Sequence, residues 1–371
     1  MMNLRILYIA PENNAGTLDI WQKAHRELGN EARYVTLFPS ESDFPDDIAL
    51  DLPLTPDAPW LQAIKKVAYR AHGQAGIYKE AEGYPPTWQP KSIFEYWFFS
   101  LREKLWEPRI REAIDRYDLD EYDIYHLESG LGLFRDGRIM EELKSRGKHL
   151  ICNYHGTDLR TRGVIPAIDH LADVNITSEL DLLDKHPAME YLFLPFETEK
   201  FEANTELHSP IRLCHATRNR YFKGSDRIIE VCRRLEQERS DTEFVLIENR
   251  PHDETLQLKA SSDVYIDQIS NTGGWGYGMN SVEALSMGLC CCTNLIPRYE
   301  EFIPDHPFVN IAGETLYHNL DTLLDDPDRI RTHARRGKMW VETYHDIRNV
   351  IRSVYEIYHR EGWIETLPWE E

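Results

Sequence analysis

Gly274-Trp275-Gly276-Tyr277-Gly278-Met279-Asn280-Ser281-Val282-Glu283-Ala284-Leu285-Ser286-Met287-Gly288 is the stretch on which the fold of this chain turns. An apolar run, Val264 to Asp267, leads toward it as a strand, and a second, Leu289 to Thr293, leaves it. Between them the pattern predicts a helix over Asn280 to Met287, closed by Gly288. Strand, glycine-rich turn, helix and strand in that order make a unit of a parallel, doubly wound sheet. The glycines permit close backbone approach, and the free N–H groups of a helix start suit a diphosphate. Glu283, in the first turn or so, is placed to accept hydrogen bonds from a ribose diol. The same residues also read as a Gly-rich turn with an acid matched to the helix dipole.

Working outward, the alternation repeats on both sides. Upstream, strands are expected at Ile211 to Ala216 and Glu243 to Ile247, with helices at Ser225 to Gln237 and Asp253 to Ala260. Downstream come helical stretches near Thr315 to Leu324, Pro327 to Tyr344 and Ile347 to Arg360. The first half opens with a strand at Leu4 to Ala10, a loop holding Asn13, Asn14 and Gly16, a helix from Leu18 to Leu28 and a strand at Arg33 to Leu37. Ser40 to Pro59 reads as acidic loop and Leu61 to Arg70 as helix. A long helical stretch, Ser92 to Tyr117, should be kinked or divided by Pro108. Strands resume at Ile124 to Leu127, His149 to Tyr154, Val174 to Thr177 and Leu192 to Pro195. Pro195 to Pro210 is polar, carries two prolines and suits an interdomain linker. With 371 residues, the chain is long enough for two domains of about 150–200 residues each. The expected architecture is α/β, with two Rossmann-like halves and a ligand cleft at the carboxyl ends of the strands.

Two further loops after strands carry candidate chemistry. Arg218, Arg220 and Lys223 lie in Thr217-Arg218-Asn219-Arg220-Tyr221-Phe222-Lys223-Gly224, ahead of a helix capped by Ser225. Cations at that position would neutralise a departing diphosphate, Arg as a planar fork and Lys as a point charge; an exposed basic loop is the plainer alternative. His155, in Tyr154-His155-Gly156-Thr157-Asp158-Leu159-Arg160, directly follows a buried strand and can point into a ligand site.

Together these stretches resemble the retaining glycosyltransferases of family 4, which have the GT-B fold. The resemblance covers nearly the whole chain. It rests on the first strand and loop, the HG(S/T)D-like stretch at His155, the Arg-x4-Lys-Gly pattern at Arg218 and Lys223, and the G-x-G-x4-E-A-x3-G stretch ending at Gly288. It implies an acceptor-side domain over 1–203, a nucleotide-sugar domain over 204–345 and a last helix, 346–371, returning to the first domain. It also implies that Arg218 and Lys223, with Arg220 beside them, hold the donor diphosphate, that Glu283 binds the ribose and that His155 contacts the transferred sugar. Trp275, Gly276, Tyr277, Gly278, Met279, Asn280 and Ser281 would line the donor, the backbone N–H groups around Met279 to Ser281 meeting its phosphates, and Gly16 would lie near the phosphates or the acceptor. Asn14, Asp158 and Arg160 would face the acceptor. The family's Glu-x7-Glu pair would place its first Glu at Trp275, so the acid that positions the donor sugar is replaced.

The remaining features narrow the choice. A formal net charge of -21 repels phosphodiester backbones and excludes nucleic acid as a partner. No run approaches the roughly 18 apolar residues of a membrane span, and Ile6 to Ala10 is too short for a signal peptide core, so a cytoplasmic location is expected. Trp97, Phe98, Phe99 and Trp106 read as a core-facing aromatic stripe in preference to a weak peripheral membrane contact. The six cysteines, three of them Cys290 to Cys292, have no zinc-ligand spacing and read as buried thiols. Asp118 to Asp120 and Asp326 to Asp328 read as turn and helix-start residues, which leaves a metal-independent transfer with cations in place of a metal. No cofactor is expected beyond the donor, a UDP-, GDP- or ADP-type sugar, with a glycan or lipid-linked acceptor. A catalytically weak sugar-nucleotide-binding protein is the alternative. An NAD-dependent oxidoreductase is disfavoured because the first βα turn lacks G-x-G-x-x-G.

Overall fold

The computed structural model describes residues 4–13, 15–40, 44–55, 80–90, 92–203, 206–303 and 305–370. The expected helix over 61–70 and Asn14 lie outside these residues. The chain divides into two units, Met1–Leu192 with Val354–Glu371, and Phe193–Ser353.

Among the described residues the first unit is built on seven strands: β1 (Arg5–Ala10), β2 (Glu31–Thr36), β3 (Ile48–Ala49), β4 (Ile124–Glu128), β5 (His149–Tyr154), β6 (Val174–Thr177) and β7 (Met189–Tyr191). They lie in the order β3-β2-β1-β4-β5-β6-β7, and every pairing is parallel. β1 and β4 are almost wholly buried, as parallel strands covered on both faces must be. Leu7, Ile9, Leu127, Leu150 and Cys152 share one core with Trp106 and Ile110 of the helix Ile93–Tyr117.

The second unit carries β8 (Ile211–Thr217), β9 (Thr242–Glu248), β10 (Val264–Ile266), β11 (Cys290–Thr293) and β12 (Val309–Asn310), in the order β12-β11-β10-β8-β9, again all parallel. All six cysteines are free and buried, three of them forming β11. Both units are parallel α/β sheets in which helices join most successive strands.

The last helix, Ile347–Arg360, begins in the second unit, and its residues from Val354 onward belong to the first. There Tyr355 accepts from Asn30 Nδ2 at 2.6 Å and meets His25 Nδ1 at 3.0 Å. Tyr358 meets His126 Nε2 at 2.6 Å. Burial lowers His25 to a pKa of about 3 and takes His126 well below its ordinary value. Both rings are therefore neutral, which suits their tyrosine partners.

Where the elements differ from expectation, the reasons are local. β3 is two residues long and sits within the acidic stretch expected to be loop; its pairing to Val35 and Thr36 leaves no periodic signal. β7 precedes the expected strand at Leu192 to Pro195, since Leu192 closes the ladder by donating to the Thr177 carbonyl. The helix Ile93–Tyr117 runs unbroken through Pro108. Both Pro108 and Lys104 are exposed, so the carbonyl that Pro108 cannot serve faces water. Ser92 caps this helix through Glu95 N. Its aromatic stripe divides: Trp106 is buried and donates to the Pro53 carbonyl at 2.7 Å, whereas Trp97 is 64% exposed, in line with exposed Ile93, Leu101 and Leu105. The core-facing reading therefore fails for Trp97. Among the described residues no helix is long and apolar enough to cross a membrane.

Candidate functional site

In the second unit, the helix Met279–Ser286 starts from Gly278 with no side-chain cap. The amides of Ser281 and Val282 close onto the Gly278 carbonyl at 2.9 and 3.2 Å. Those of Met279 and Asn280 precede the first intrahelical bond. A Cβ at Gly278 would meet nothing within 4 Å, so the space beside these amides is open. Gly276 is different: its φ is +75° and a Cβ would stand 2.4 Å from the Tyr299 ring. Its lack of a side chain serves packing, while that of Gly278 leaves room for a ligand.

The turn after β8 is tied to this helix start through a buried carboxylate. Asn219 caps the short helix Arg220–Lys223, accepting from Tyr221 N at 3.0 Å. Lys223 then donates to Asp267, just beyond β10, at 2.5 Å. Ser281 donates to the other Asp267 oxygen, also at 2.5 Å. Burial alone would raise the Asp267 pKa, but Lys223 and Ser281 hold it below the usual carboxylate range. Gly224, at φ +70°, lets the turn lie against Ile269, where a Cβ would approach to 2.7 Å. Arg218 is exposed on the turn. Arg220 forms a bidentate pair with Glu248, both contacts 2.7 Å, and a third contact to Asp226.

Glu283 is buried and accepts a hydrogen bond from Lys259, which is wholly buried on the helix His252–Ala260. Lys259 also donates to Asn280 Oδ1 at 2.5 Å. Lys259 was not singled out from the sequence; its signal is a cation three residues after Leu256, on the buried side of a helix. Tyr277 is a core residue, its ring against Phe308 and Trp340 and its hydroxyl 2.9 Å from His345 Nε2. Its side chain is therefore not available to a donor. Trp275 is half-buried beneath the Arg298 guanidinium, 5.7 Å from the ring centroid.

In the first unit, His155 follows β5 and its Nε2 hydrogen-bonds Glu128, the last residue of β4. Asn153 donates to the same carboxylate at 3.2 Å. Partial loss of solvent around the ring would by itself lower the His155 pKa; the charge and hydrogen bond of Glu128 reverse this and raise it to about 9. The ring is thus an imidazolium at neutral pH, with 41% of its side chain exposed. Glu128 had no motif to mark it, and the parallel pairing of β4 with β5 is what delivers it.

The expected acceptor-side residues have internal partners. Asp158 accepts from the His155 and Leu159 amides at 3.0 and 2.6 Å. Arg160 is buried and pairs with Asp181 and Glu179 at 2.6–2.7 Å. Gly156, at φ +108°, is required because a Cβ would stand 2.4 Å from Arg160. Gly16 begins the first helix at φ +67°, with the Phe44 ring 2.8 Å from where a Cβ would be. Asp118 closes one helix and Asp326 caps another. Among the described residues, no group of three or more His, Cys, Asp or Glu is arranged to hold a metal ion.

No protein-family model matches the chain, and no curated protein matches it in sequence. Its fold is shared with solved structures. A sucrose-phosphate synthase from Thermosynechococcus elongatus superposes with a TM-score of 0.61 at 14% identity, covering 97% of this chain and all of the other. Anabaena HepE in complex with UDP gives 0.58 at 12% identity, over 97% and 100%. An α-glucosyltransferase in complex with UDP and DNA gives 0.60 at 10% identity, over 96% and 99%. A putative UDP-N-acetylglucosamine 2-epimerase from Listeria monocytogenes gives 0.57 at 13% identity, over 98% of each chain. The chain has the two-domain α/β architecture of GT-B proteins.

Proposed function

We propose that the chain is a glycosyltransferase that moves a hexosyl group from a nucleotide diphosphate sugar to a hydroxyl acceptor, with retention and without a metal. The observation that carries this is the Lys223–Asp267–Ser281 chain, which fixes the cationic turn against the open start of the helix Met279–Ser286. Backbone amides at Met279 and Asn280, with Arg218 and Lys223, form a setting for a diphosphate. Neighbours of the same fold that bind UDP support a nucleotide ligand.

In this reading the bond from the anomeric carbon to the diphosphate oxygen breaks, and the acceptor oxygen bonds to that carbon on the same face. The acceptor proton passes to the departing diphosphate. The protein contributes orientation and charge. His155, as an imidazolium, would contact the transferred sugar.

A second reading, a catalytically weak sugar-nucleotide-binding protein, is favoured by two observations. Glu283 is engaged by Lys259, and Trp275 stands where an acid would read the hexose. Incubation with UDP-, GDP-, ADP- and dTDP-sugars separates the two. Release of the nucleoside diphosphate from one donor, stimulated by an acceptor, is the expected outcome. Binding of a nucleotide sugar with neither hydrolysis nor transfer would leave the second reading standing.

A further inference from the structure

The first unit contains a hollow of about 390 Å³ between the helix Ile93–Tyr117, the segment around Trp88 and the loop ahead of the helix Arg138–Ser145. Its floor is aromatic: Trp88 and Phe99 meet edge to face at 5.5 Å. Its rim is cationic, with Lys104, Arg135 and Arg138.

Directly behind Phe99 lies Arg102, 4% exposed. Its guanidinium rests over Phe99 at 4.7 Å and Trp106 at 4.3 Å. The Nε and Nη2 of Arg102 are buried with no hydrogen-bond partner among the described residues. Arg135 lies over the Phe99 ring as well, at 4.3 Å. The carboxylates here are already committed. Glu103 accepts from the Arg135 backbone at 3.0 Å and stands 3.6 Å from its guanidinium. Asp136 and, at 3.7 Å, Glu107 face Arg138. Arg102 and Lys104 form no ion pair among the described residues. Burial, with Arg135 close by, lowers the Arg102 pKa to about 9, and burial lowers that of Arg135 to about 10. Among the described residues, two guanidiniums lie on one ring and only that of Arg135 is paired with a carboxylate, an electrostatic imbalance that an incoming anion would relieve.

We propose that this hollow binds a ring-sized ligand carrying a phosphate or carboxylate, its apolar part against the aromatic wall that includes Trp88 and its anion at Arg135 and Lys104. On the glycosyltransferase reading, on which this second step rests, the hollow is the subsite of an anionic acceptor. The walls connect to the His155 site through the backbone. Trp88 N donates to the Val164 carbonyl at 2.8 Å, just past the turn Asp158–Arg162 that follows His155. Arg135 lies in the loop leaving β4, whose last residue is Glu128.

The test is calorimetric titration of the full chain, without donor, using phenyl phosphate, glucose 6-phosphate and glucuronate against phenol and glucose. At least one anion is expected to bind saturably and about tenfold or more tightly than its neutral counterpart, an advantage lost in Arg135→Gln and Lys104→Gln. Lys104 is exposed, so its variant folds whatever Arg135→Gln does. Arg102→Met should bind the anion less well yet melt at a higher temperature, because an unpartnered buried charge is removed. Absence of binding by all three anions up to about 10 mM, or equal binding in both variants, overturns the proposal. Anion binding without any turnover of nucleotide sugars would keep the site and reject only its acceptor role. With turnover present, a raised KM for a charged acceptor in Lys104→Gln, at unchanged donor hydrolysis, is the expected result.

Discussion

Replacing Lys259 by Met separates what Glu283 does for the fold from what it does for a ligand. Lys259 is wholly buried, and its ammonium is divided between Glu283 and Asn280. Removing it leaves the Glu283 carboxylate buried without its cation, since His252 Nε2 at 3.9 Å is too far to take over. Breaking a buried pair from one side costs about 3–5 kcal/mol. For a unit the size of Phe193–Ser353, each kcal/mol moves the melting temperature by about 2–4 °C, so a fall of roughly 6–20 °C is expected. The double variant Lys259→Met/Glu283→Leu removes both charges and should recover most of that loss. If Glu283 also accepts from a ribose diol, the recovered double variant will still bind UDP about 10–100-fold more weakly than the parent, the worth of a hydrogen bond to a charged acceptor. Thermal melting and calorimetry on the three proteins decide the matter. A Lys259→Met protein that melts within a degree or two of the parent would refute the energetic argument. A double variant with parental UDP affinity would refute the ribose assignment.

Further outcomes follow from the same geometry. Gly276→Ala, with its Cβ against Tyr299 at positive φ, should cost about 2–4 kcal/mol, whereas Gly278→Ala should melt normally but weaken UDP binding; equal effects on both properties would remove Gly278 from the site. Lys223→Ala should lose transfer and also stability, because buried Asp267 loses its cation, while Lys223→Met/Asp267→Asn should regain the melting temperature without regaining activity. His25 and His126 are buried neutral, so the unfolded chain takes up their protons first as pH falls. Each should subtract about 1.4 kcal/mol of stability per pH unit below about 6.5, and His25→Gln should flatten the urea-midpoint profile over that range. Glu128→Gln should bring the His155 pKa, read by NMR, down from about 9 toward about 6.5 or below, and confine activity to the acid side of neutrality; an unshifted His155 would mean that Glu128 does not govern its charge.

The sheets were legible because parallel strands are buried on both faces and read as plain apolar runs, as in Arg5–Ala10 and Cys290–Thr293. Elements of two residues, such as Ile48–Ala49 and Val309–Asn310, are set by edge pairing and leave no period to detect. At the site, position was easier to read than partnership. Loops after strands located Lys223, Glu283 and His155, but which carboxylate or cation meets each depends on strand neighbours far apart in the chain. Asp267 reaches Lys223 because β8 lies beside β10, and Glu128 reaches His155 because β4 lies beside β5. Tyr277 misled for the converse reason, as its place in a glycine-rich turn gives no sign that its ring fills the core.

These partnerships alter how a donor would be held in the second unit. Lys223 is answered by Asp267, Arg220 by Glu248, and Glu283 by Lys259. Each internal pair removes most of the side chain's long-range field, so the turn does not act as a bare cationic patch. Besides exposed Arg218, what remains directed outward is fixed dipole: the amides at Met279 and Asn280 and the helix start behind them. Hydrogen bonds from those amides act over a few ångströms, well inside the Debye length of about 10 Å at 0.1 M salt, so added salt weakens them little. Nucleotide affinity in this chain should therefore vary weakly with ionic strength, in contrast to a site built from unpaired lysines and arginines. A UDP dissociation constant rising less than about threefold between 50 and 300 mM salt is the expected outcome, and a rise of more than about tenfold would show that Arg218 and Lys223 work as free charges despite their surroundings.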